Sequence, residues 1–459
     1  MLAPSSPGMT AMACCRSLSA ALLVLLAAAA RAEPPPRFPP GAVWHQDIRD
    51  APLHPDSAAM VATWVGLGGF GNGRMQIDFS FHVVRAGNDA PLRTILAYPS
   101  AGSYYSPDCE APGTAMPVPV DAAIEGQDGL ACDNANGDCH LLVVQGARLY
   151  EAYRANASGA GGLQAQCLAV WRLDRVYPAS NRGEHCTSAD AAGFPIAPLL
   201  FNADEVHAAM QQADGDLGHA IRFILPNARM ATTLAGGVRR PVYVRPASHA
   251  GGPSGPEGTI PYGARLRLRA DFPVGLYPPA AQVILRTMQR YGIVLSDGGN
   301  IALTAESDRY TEHTWASLGI TSRVFDQAVP AAPVRAQDFA VLDTGPRIVE
   351  TYACVRNAEP VDPHALVART QRVGASRREL TTLSWQGGAE RVDIHAGAEL
   401  VATVDNTGQH LAKPRPAGTP WRVCDAGTTA CSEAAAPLPD RYLHAPMPTR
   451  KRSSGRDQP

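Results

Sequence analysis

Three acidic side chains stand where a carboxyl group can do acid/base chemistry. Asp78 lies on the polar face of a strictly alternating segment, Glu151 alternates with apolar residues, and Asp190 lies in a loop rich in Ala and Gly. Glycoside hydrolysis uses a pair of carboxyl groups separated by roughly 5–10 Å. The competing interpretations are structural: a solvated strand face for Asp78, an arginine ion pair for Glu151 and an Asx turn for Asp190.

A second group of candidates combines an acid with histidines. Asp138 and His140 are two residues apart, so on a strand they share one face. That arrangement suits an aspartate that orients a histidine base, or two ligands of a metal ion. His219 begins another apolar segment, and a core histidine bonded to the backbone is the alternative for both histidines. The candidate catalytic residues are therefore Asp78, Asp138, His140, Glu151, Asp190 and His219.

Several other chemistries lack their motifs. The chain has no Gly-x-Ser-x-Gly nucleophile elbow and no His-Glu-x-x-His zinc motif. The glycine-rich segment 66–73 precedes a strand, whereas a dinucleotide loop follows one, so we expect no cofactor. The net charge of −2 argues against nucleic-acid binding through bulk charge. A metal ion at the Asp138–His140 pair remains open.

The N-terminus has the features of an export signal. Arg16 precedes an apolar run from Leu18 to Ala30, and a small-x-small site predicts cleavage before Glu33. No later segment is expected to span a membrane, so we predict a secreted protein, periplasmic or extracellular.

Export also predicts how the cysteines are used. Eight of the ten lie beyond the leader, and an even number in an oxidising compartment indicates disulfides rather than zinc. Two pairs, Cys132 with Cys139 and Cys424 with Cys431, are close enough in sequence to close local loops.

Short alternating segments dominate the rest of the chain. The clearest strand is 75–83, and two hairpins are expected, one joining 140–145 to 148–153 and the other joining 293–296 to 301–304. Helices are predicted at 203–212, behind an Asn202–Glu205 capping box, and at 279–291, behind a proline pair.

This pattern predicts a mainly β protein. We expect a β-sandwich or jelly-roll-like body with two helical insertions, and a small C-terminal immunoglobulin-like β-domain. The predicted boundaries are a signal peptide at 1–32, an extended N-terminal segment at 33–62, a β-rich main domain at 63–328, a linker at 329–345, a small β-domain at 346–435 and a disordered tail at 436–459.

The main body also resembles a family of secreted bacterial β-rich proteins with no assigned activity. The matching stretches are Gln76–Ser80 (QIDFS), Gly137–His140 (GDCH), Leu149–Glu151 (LYE), Thr187–Gly193 (TSADAAG), Pro195–Ile196 (PI), Asp204–Val206 (DEV), His219–Phe223 (HAIRF) and Tyr291–Gly292 (YG). They cover most of residues 66–325 in order and none of the C-terminal unit. The resemblance implies one shared domain and no particular chemistry.

Together these observations favour a secreted polysaccharide hydrolase that uses carboxylate acid/base chemistry. A non-catalytic glycan-binding or cell-envelope-associated protein is the first alternative. A metal-dependent hydrolase using Asp138, His140 and His219 is the second. The expected partner is a polysaccharide or cell-envelope glycan, without nucleic acid or a membrane span, and the oligomeric state is left open.

Overall fold

The structure, a computed structural model, describes most of the chain between Pro35 and Ser432. The described ranges are 35–87, 89–98, 104–133, 137–158, 162–357, 367–373, 378–385, 389–416, 419–428 and 431–432. The predicted signal peptide (1–32) and disordered tail (436–459) lie outside them. The fold is mainly β, with several sheets and few helices, as the sequence predicts.

The helices are α1 (Ser57–Gly66), α2 (Ala203–Met210), α3 (Pro279–Arg290) and α4 (Val324–Gln327). The strands in chain order are β1 Ile77–Phe81, β2 Val83–Arg85, β3 Leu92–Ala97, β4 Ala115–Pro117, β5 Leu141–Gln145, β6 Arg148–Tyr153, β7 Asn156–Ala157, β8 Leu163–Ala165, β9 Cys167–Arg172, β10 Gly183–Glu184, β11 Ile221–Leu225, β12 Thr232–Ala235, β13 Val238–Tyr243, β14 Arg265–Leu268, β15 Ile293–Gly298, β16 Leu303–Glu306, β17 Phe339–Val341, β18 Ile348–Val349, β19 Val355–Arg356, β20 Val367–Val373, β21 Arg378–Ser384, β22 Arg391–Ala396, β23 Glu399–Asp405, β24 Gln409–Ala412 and β25 Trp421–Asp425.

The chain divides into two compact units. The first runs to Asn181 and continues from His185 to Cys354; the second comprises Arg182–Glu184 and the chain from Val355 onward. The first unit holds a six-stranded sheet of order β1-β16-β11-β15-β14-β17 and smaller sheets β2-β5-β6-β9, β4-β3-β8-β7 and β12-β13-β18. The second holds β10-β19, β20-β21-β24 and β23-β22-β25. The sandwich packing and the immunoglobulin-like topology remain predictions.

The six-stranded sheet is mixed, and it corrects one predicted hairpin. β15 and β16 are not neighbours, because β11 lies between them, parallel to β15 and antiparallel to β16. The Asp297-Gly-Gly sequence resembles a tight turn, but β15 extends through Asp297 to Gly298. The other predicted hairpin, β5 with β6, is confirmed.

Two segments carry more structure than their composition suggests. Residues 33–62, predicted to be extended, contain most of α1, which buries Met60, Val61 and Trp64. The predicted linker 329–345 contributes β17, which pairs with β14 at the edge of the six-stranded sheet. Both segments are rich in proline and alanine, but each also contains a few larger apolar residues. Burial of those apolar residues in the core determines the local structure.

Disulfides form between Cys109 and Cys167, Cys132 and Cys139, Cys186 and Cys354, and Cys424 and Cys431. The two local pairs are those expected from spacing. Within the described ranges, no helix has both the length and the apolar character needed to cross a bilayer.

The two predicted helices are confirmed as α2 and α3, and the start of α2 is fixed by charge. Asn202 and Glu205 form the predicted capping box, and Glu205 also accepts hydrogen bonds of 2.6 Å from Arg37. Burial opposes ionisation of Glu205, but the Arg37 guanidinium outweighs it and lowers the pKa of that carboxyl to about 2. Arg37 also donates to the carbonyls of Pro198 and Leu200, so this ion pair fastens the N-terminal segment to the core.

We therefore predict that this ion pair makes stability depend on pH. Because folding lowers the pKa of Glu205 from 4.5 to about 2, its contribution is full above pH 4.5 and is lost as the pH falls toward 2. The loss should be about 3 kcal/mol in the free energy of unfolding. Glu205→Gln should flatten the acid limb measured by denaturant titration, while the exposed Glu312→Gln should not. An unchanged acid limb in Glu205→Gln would contradict this account.

Candidate functional site

The first unit contains a cleft of about 730 Å³ with an unusually acidic lining. Six carboxyl groups line it, together with one guanidinium and two imidazoles; they are Asp78, Asp108, Glu125, Asp138, Asp190, Asp297, Arg222, His140 and His249. Four of the sequence-predicted residues are among them, namely Asp78, Asp138, His140 and Asp190. Glu151 and His219 are not.

The floor of the cleft is a polar row across the six-stranded sheet. Asp78 of β1 is in register with Thr304 of β16, and the pairing of β16 with β11 sets Thr304 beside Arg222. Arg222 donates to Thr304 Oγ1 at 2.8 Å. In β11 the apolar Ile221 and Phe223 occupy the opposite face, so alternation alone directs Arg222 into the cleft.

Arg222 is almost fully buried and bonds to an acid from a neighbouring loop. Its Nη2 atom lies 2.7 Å from Asp190 Oδ2 and 3.9 Å from Asp297 Oδ2. Burial raises the pKa of Asp190, and the Arg222 guanidinium opposes that rise. The loop is itself fixed, because Asp190 Oδ1 accepts from Ala192 N and Ser188 Oγ bonds to the Asp190 amide.

A β-bulge aims Asp297 into the same cleft. Phe223 pairs with Leu295, but the next residue, Ile224, pairs with Asp297, so Ser296 is the extra residue of β15. Without the bulge, strict alternation would turn Asp297 to the other face of the sheet. Asp297 is 30% exposed and accepts from the Ala191 and Gly298 amides.

On the other side of the cleft, Glu125 and His140 form a largely buried ion pair. Glu125 Oε2 lies 2.6 Å from His140 Nδ1, and His140 Nε2 lies 3.1 Å from the Ala189 carbonyl oxygen. A doubly protonated ring donates to both oxygens at once. Burial disfavours both charges, but their mutual attraction outweighs it, raising the pKa of His140 and lowering the pKa of Glu125.

Asp78 shares a hydrogen-bonding residue with Glu125 and has the opposite pKa shift. The Ser80 amide donates to Asp78 Oδ1 at 2.9 Å, and the Ser80 hydroxyl donates to Glu125 Oε1 at 3.1 Å. Burial raises the pKa of Asp78, and the Glu125 charge adds to that rise. The pKa values of two neighbouring carboxyl groups are therefore shifted in opposite directions, the pattern of a general acid and its basic partner in catalysis.

Aromatic rings form much of the remaining lining. Tyr105 stacks on Tyr153 at 6.2 Å between ring centroids, and the Tyr153 ring lies 5.1 Å from the imidazole of His140. At another part of the lining, Tyr352 contacts His249 at 5.5 Å and donates to the Gly251 carbonyl. Such rings offer flat faces on which a sugar can stack.

Disulfides flank the cleft residues in sequence. Cys109 follows Asp108, Cys139 separates Asp138 from His140, and Cys186 precedes the loop that carries Asp190. The Asp108 carboxylate also accepts from the Thr187 amide at 2.8 Å. The loops of the cleft are thus cross-linked at their bases, which preorganises the polar groups.

Glu151 has a structural environment instead. It is fully buried in β6, accepts from the Trp171 indole at 3.0 Å, and accepts from the Ile196 and Ala197 amides at 2.7 and 2.9 Å. Burial raises the pKa of Glu151 to about 7. The predicted arginine partner is replaced by the first amides of a short helical turn.

His219 is also buried outside the cleft. Its Nδ1 bonds to the Ala220 carbonyl at 2.7 Å, and its Nε2 lies 3.6 Å from Glu205. Burial lowers the pKa of His219, and the nearby Arg37 charge adds to the effect. His140 and His219 therefore do not share one pocket.

The contacts of His140 argue against the metal site considered for Asp138 and His140. His140 has both ring nitrogens bonded to protein groups, which leaves neither for a metal ion. Among the described residues, one cluster has ligand spacing, Asp108 with Cys186 and Cys354, and its two sulfurs are bonded to each other. Neither set offers the donors that a transition metal prefers.

Three central residues of the cleft, Glu125, Arg222 and Asp297, are not among the residues predicted from the sequence. In the sequence, Glu125 is a loop acid with little to distinguish it, and Asp297 lies in the predicted turn between 293–296 and 301–304. The sequence does contain a signal for Arg222. A charged residue within an apolar alternating strand must face a polar environment or a partner, which marks it as a candidate site residue. The signal for Asp297 depends on the bulge, which has no sequence marker.

The ion pair predicts a doubly protonated His140 imidazole. Its pKa should lie above the ordinary 6.5, and Glu125→Gln should lower it because the stabilising charge is removed. Nitrogen NMR of histidine-labelled protein checks both points, with His140→Gln identifying the signal. A His140 signal that titrates at or below 6.5 in the unaltered protein would contradict the ion pair.

Comparison of the chain with family models, with curated proteins and with solved structures finds no match.

Proposed function

We propose that this protein is a secreted polysaccharide hydrolase that works by carboxylate acid/base chemistry in the acidic cleft. The observation that carries the proposal is the pair Asp78 and Glu125, held on Ser80 with opposite pKa shifts. A raised pKa suits a general acid, and a lowered pKa suits a base or nucleophile.

In the proposed reaction, Asp78 donates its proton to the glycosidic oxygen as the bond to the anomeric carbon breaks. Glu125 either deprotonates the attacking water or attacks the anomeric carbon first and is released by water. Each route adds one water across the bond. In the double displacement Asp78 regains its proton from the water that releases Glu125; in the single displacement Glu125 loses the proton it took up to solvent and Asp78 regains one from solvent. The anomeric configuration of the first product distinguishes them, since direct attack by water inverts it and two displacements retain it.

In this scheme the other polar groups position the reacting carboxyl groups and the substrate. His140 keeps Glu125 ionised, and Asp190 holds Arg222 at the cleft floor, where it offers a cationic edge to sugar hydroxyls. Asp138, beside His140 in sequence and on the cleft lining, is a further carboxyl candidate. Glu151 and His219 are left out of the proposed machinery, because they are buried away from the cleft.

Export and a glycan partner are part of the same proposal. Four disulfides fit an oxidising compartment, and an aromatic, open cleft fits a polymeric sugar. We extend the proposal to an immunoglobulin-like accessory role for the second unit. Its two three-stranded antiparallel sheets and its core around Trp385 and Trp421 support this role.

A non-catalytic glycan-binding protein is the second candidate, favoured by the same aromatic lining. It predicts binding without turnover. A metal-dependent hydrolase would need His140 to give up its bond to Glu125 or to Ala189, so it is less well supported by the geometry.

The proposed function predicts that the protein hydrolyses a glycan. Reducing ends should appear on at least one polymer in a panel of glucans, mannans, xylans, chitin and peptidoglycan. Asp78→Asn and Glu125→Gln should each lower the rate by about 10²–10⁴-fold, because each removes one proton-transfer group. The control is Asp128→Asn, whose side chain is fully exposed. No product with any polymer, together with glycan binding that both variants retain, would favour the binding protein instead.

The proposed function also predicts how the hydrolysis rate depends on pH. Activity requires Glu125 ionised and Asp78 protonated, so it should rise as the pH passes the lowered pKa of Glu125 and fall above the raised pKa of Asp78. His140→Gln should move the acid limb of kcat/KM to higher pH, since Glu125 loses its cationic partner. An acid limb that does not move would exclude the proposed part of His140.

A further inference from the structure

A corner of the cleft distinct from the Asp78–Glu125 pair has the chemistry of a ligand subsite. It is formed by Asp297, Tyr262, Tyr352, His249 and Gly251, all of which line the cavity. We call it the Tyr262 corner.

Tyr262 supplies an unsatisfied polar group. Its side chain is 1% exposed, and among the described residues its hydroxyl has no hydrogen-bond partner. The hydroxyl lies against Gly251, because a Cβ there would come within 3.2 Å of it. Because Tyr262 lines the cavity, its hydroxyl is open to a hydrogen bond with a ligand there.

The charge balance of the corner favours a cation over an anion. Arg222 is paired at 2.7 Å with Asp190, and Asp297 stands at 3.9 Å from the same guanidinium. Asp190 thus occupies the guanidinium, and Asp297, which is 30% exposed, is the carboxyl group that remains open to a ligand. The imidazolium of His140 is likewise matched by Glu125.

Tyr352 adds a rigid aromatic face. It is 56% exposed and has a left-handed backbone, with φ +59, which is strained for a residue with a side chain. Its hydroxyl bonds to the Gly251 carbonyl, its amide bonds to Glu350, and the disulfide of Cys354 follows two residues later. Strain held by this many constraints is typical of a binding residue, and an aromatic face attracts an ammonium group.

We infer that the Tyr262 corner binds the protonated amino group of an amino-sugar residue, so that the preferred polysaccharide is a cationic hexosamine polymer rather than a neutral or uronic-acid one. This inference rests on the proposed function and names its substrate class. Asp297 receives the ammonium group, the Tyr262 oxygen accepts a hydrogen bond from it, and the Tyr352 ring packs on the sugar.

The test measures binding rather than turnover. Calorimetry with the Glu125→Gln protein, at mildly acidic pH, compares glucosamine, glucose and galacturonic acid oligomers of equal length. Glucosamine oligomers should bind at least about tenfold more tightly than glucose oligomers, equal to about 1.4 kcal/mol, and galacturonic acid oligomers most weakly. Equal affinity for the glucosamine and glucose oligomers, or tighter binding of the uronic acid, would overturn the inference.

Two variants locate the effect. In the same background, Asp297→Asn should abolish the preference for the amine, and Tyr262→Phe should weaken binding of the amine while preserving the shape of the corner. Asp271→Asn, on an exposed loop, is the control. An amine preference that survives Asp297→Asn would also overturn the inference. Because the background is inactive by design, failure of hydrolysis in the unaltered protein leaves this binding test intact.

Discussion

The buried guanidinium of Arg222 is the constraint on which the cleft depends. A charge placed in the middle of a sheet is tolerated only when paired and hydrogen-bonded. Thr304 satisfies one end of it from the next strand, and Asp190 the other from a loop, so strand register and loop position are fixed together. The same requirement explains why the loop around Asp190 is tied down by Ser188 and by the neighbouring disulfide of Cys186.

Opposite pKa shifts follow from the way the acids are distributed around this centre. Glu125 has its own cation in His140 and stays ionised, while Asp78 has burial and a neighbouring negative charge, which favour its protonated form. Ser80 bonds to both and keeps them adjacent. A cleft whose adjacent acids have opposite pKa shifts and whose walls are aromatic is suited to breaking an acetal bond, and this is the physical basis of the proposed function.

Local pattern was sufficient to predict some features of the fold. The Asn202–Glu205 capping box, the β5–β6 hairpin and the two short-range disulfides depend on neighbouring residues, and all three are confirmed. The position of β11 between β15 and β16 depends on contacts distant in sequence. The bulge at Ser296 has no local sequence marker either, so the sequence predicts a turn at Asp297. Glu151 and His219 looked reactive because sequence gives residue type and alternation but not the partners that neutralise a buried group.

Asp78 and Glu125 are expected to take up protons in the reverse of the ordinary order. In ordinary surroundings an aspartate carboxyl, with a pKa of 3.8, protonates after a glutamate carboxyl, at 4.5, as the pH falls. Carbon NMR of carboxyl-labelled protein, with Asp78→Asn and Glu125→Gln to identify the two signals, follows both groups in one titration. We expect Asp78 to protonate first and Glu125 last. Protonation of Glu125 before Asp78 would contradict the roles proposed for the two groups.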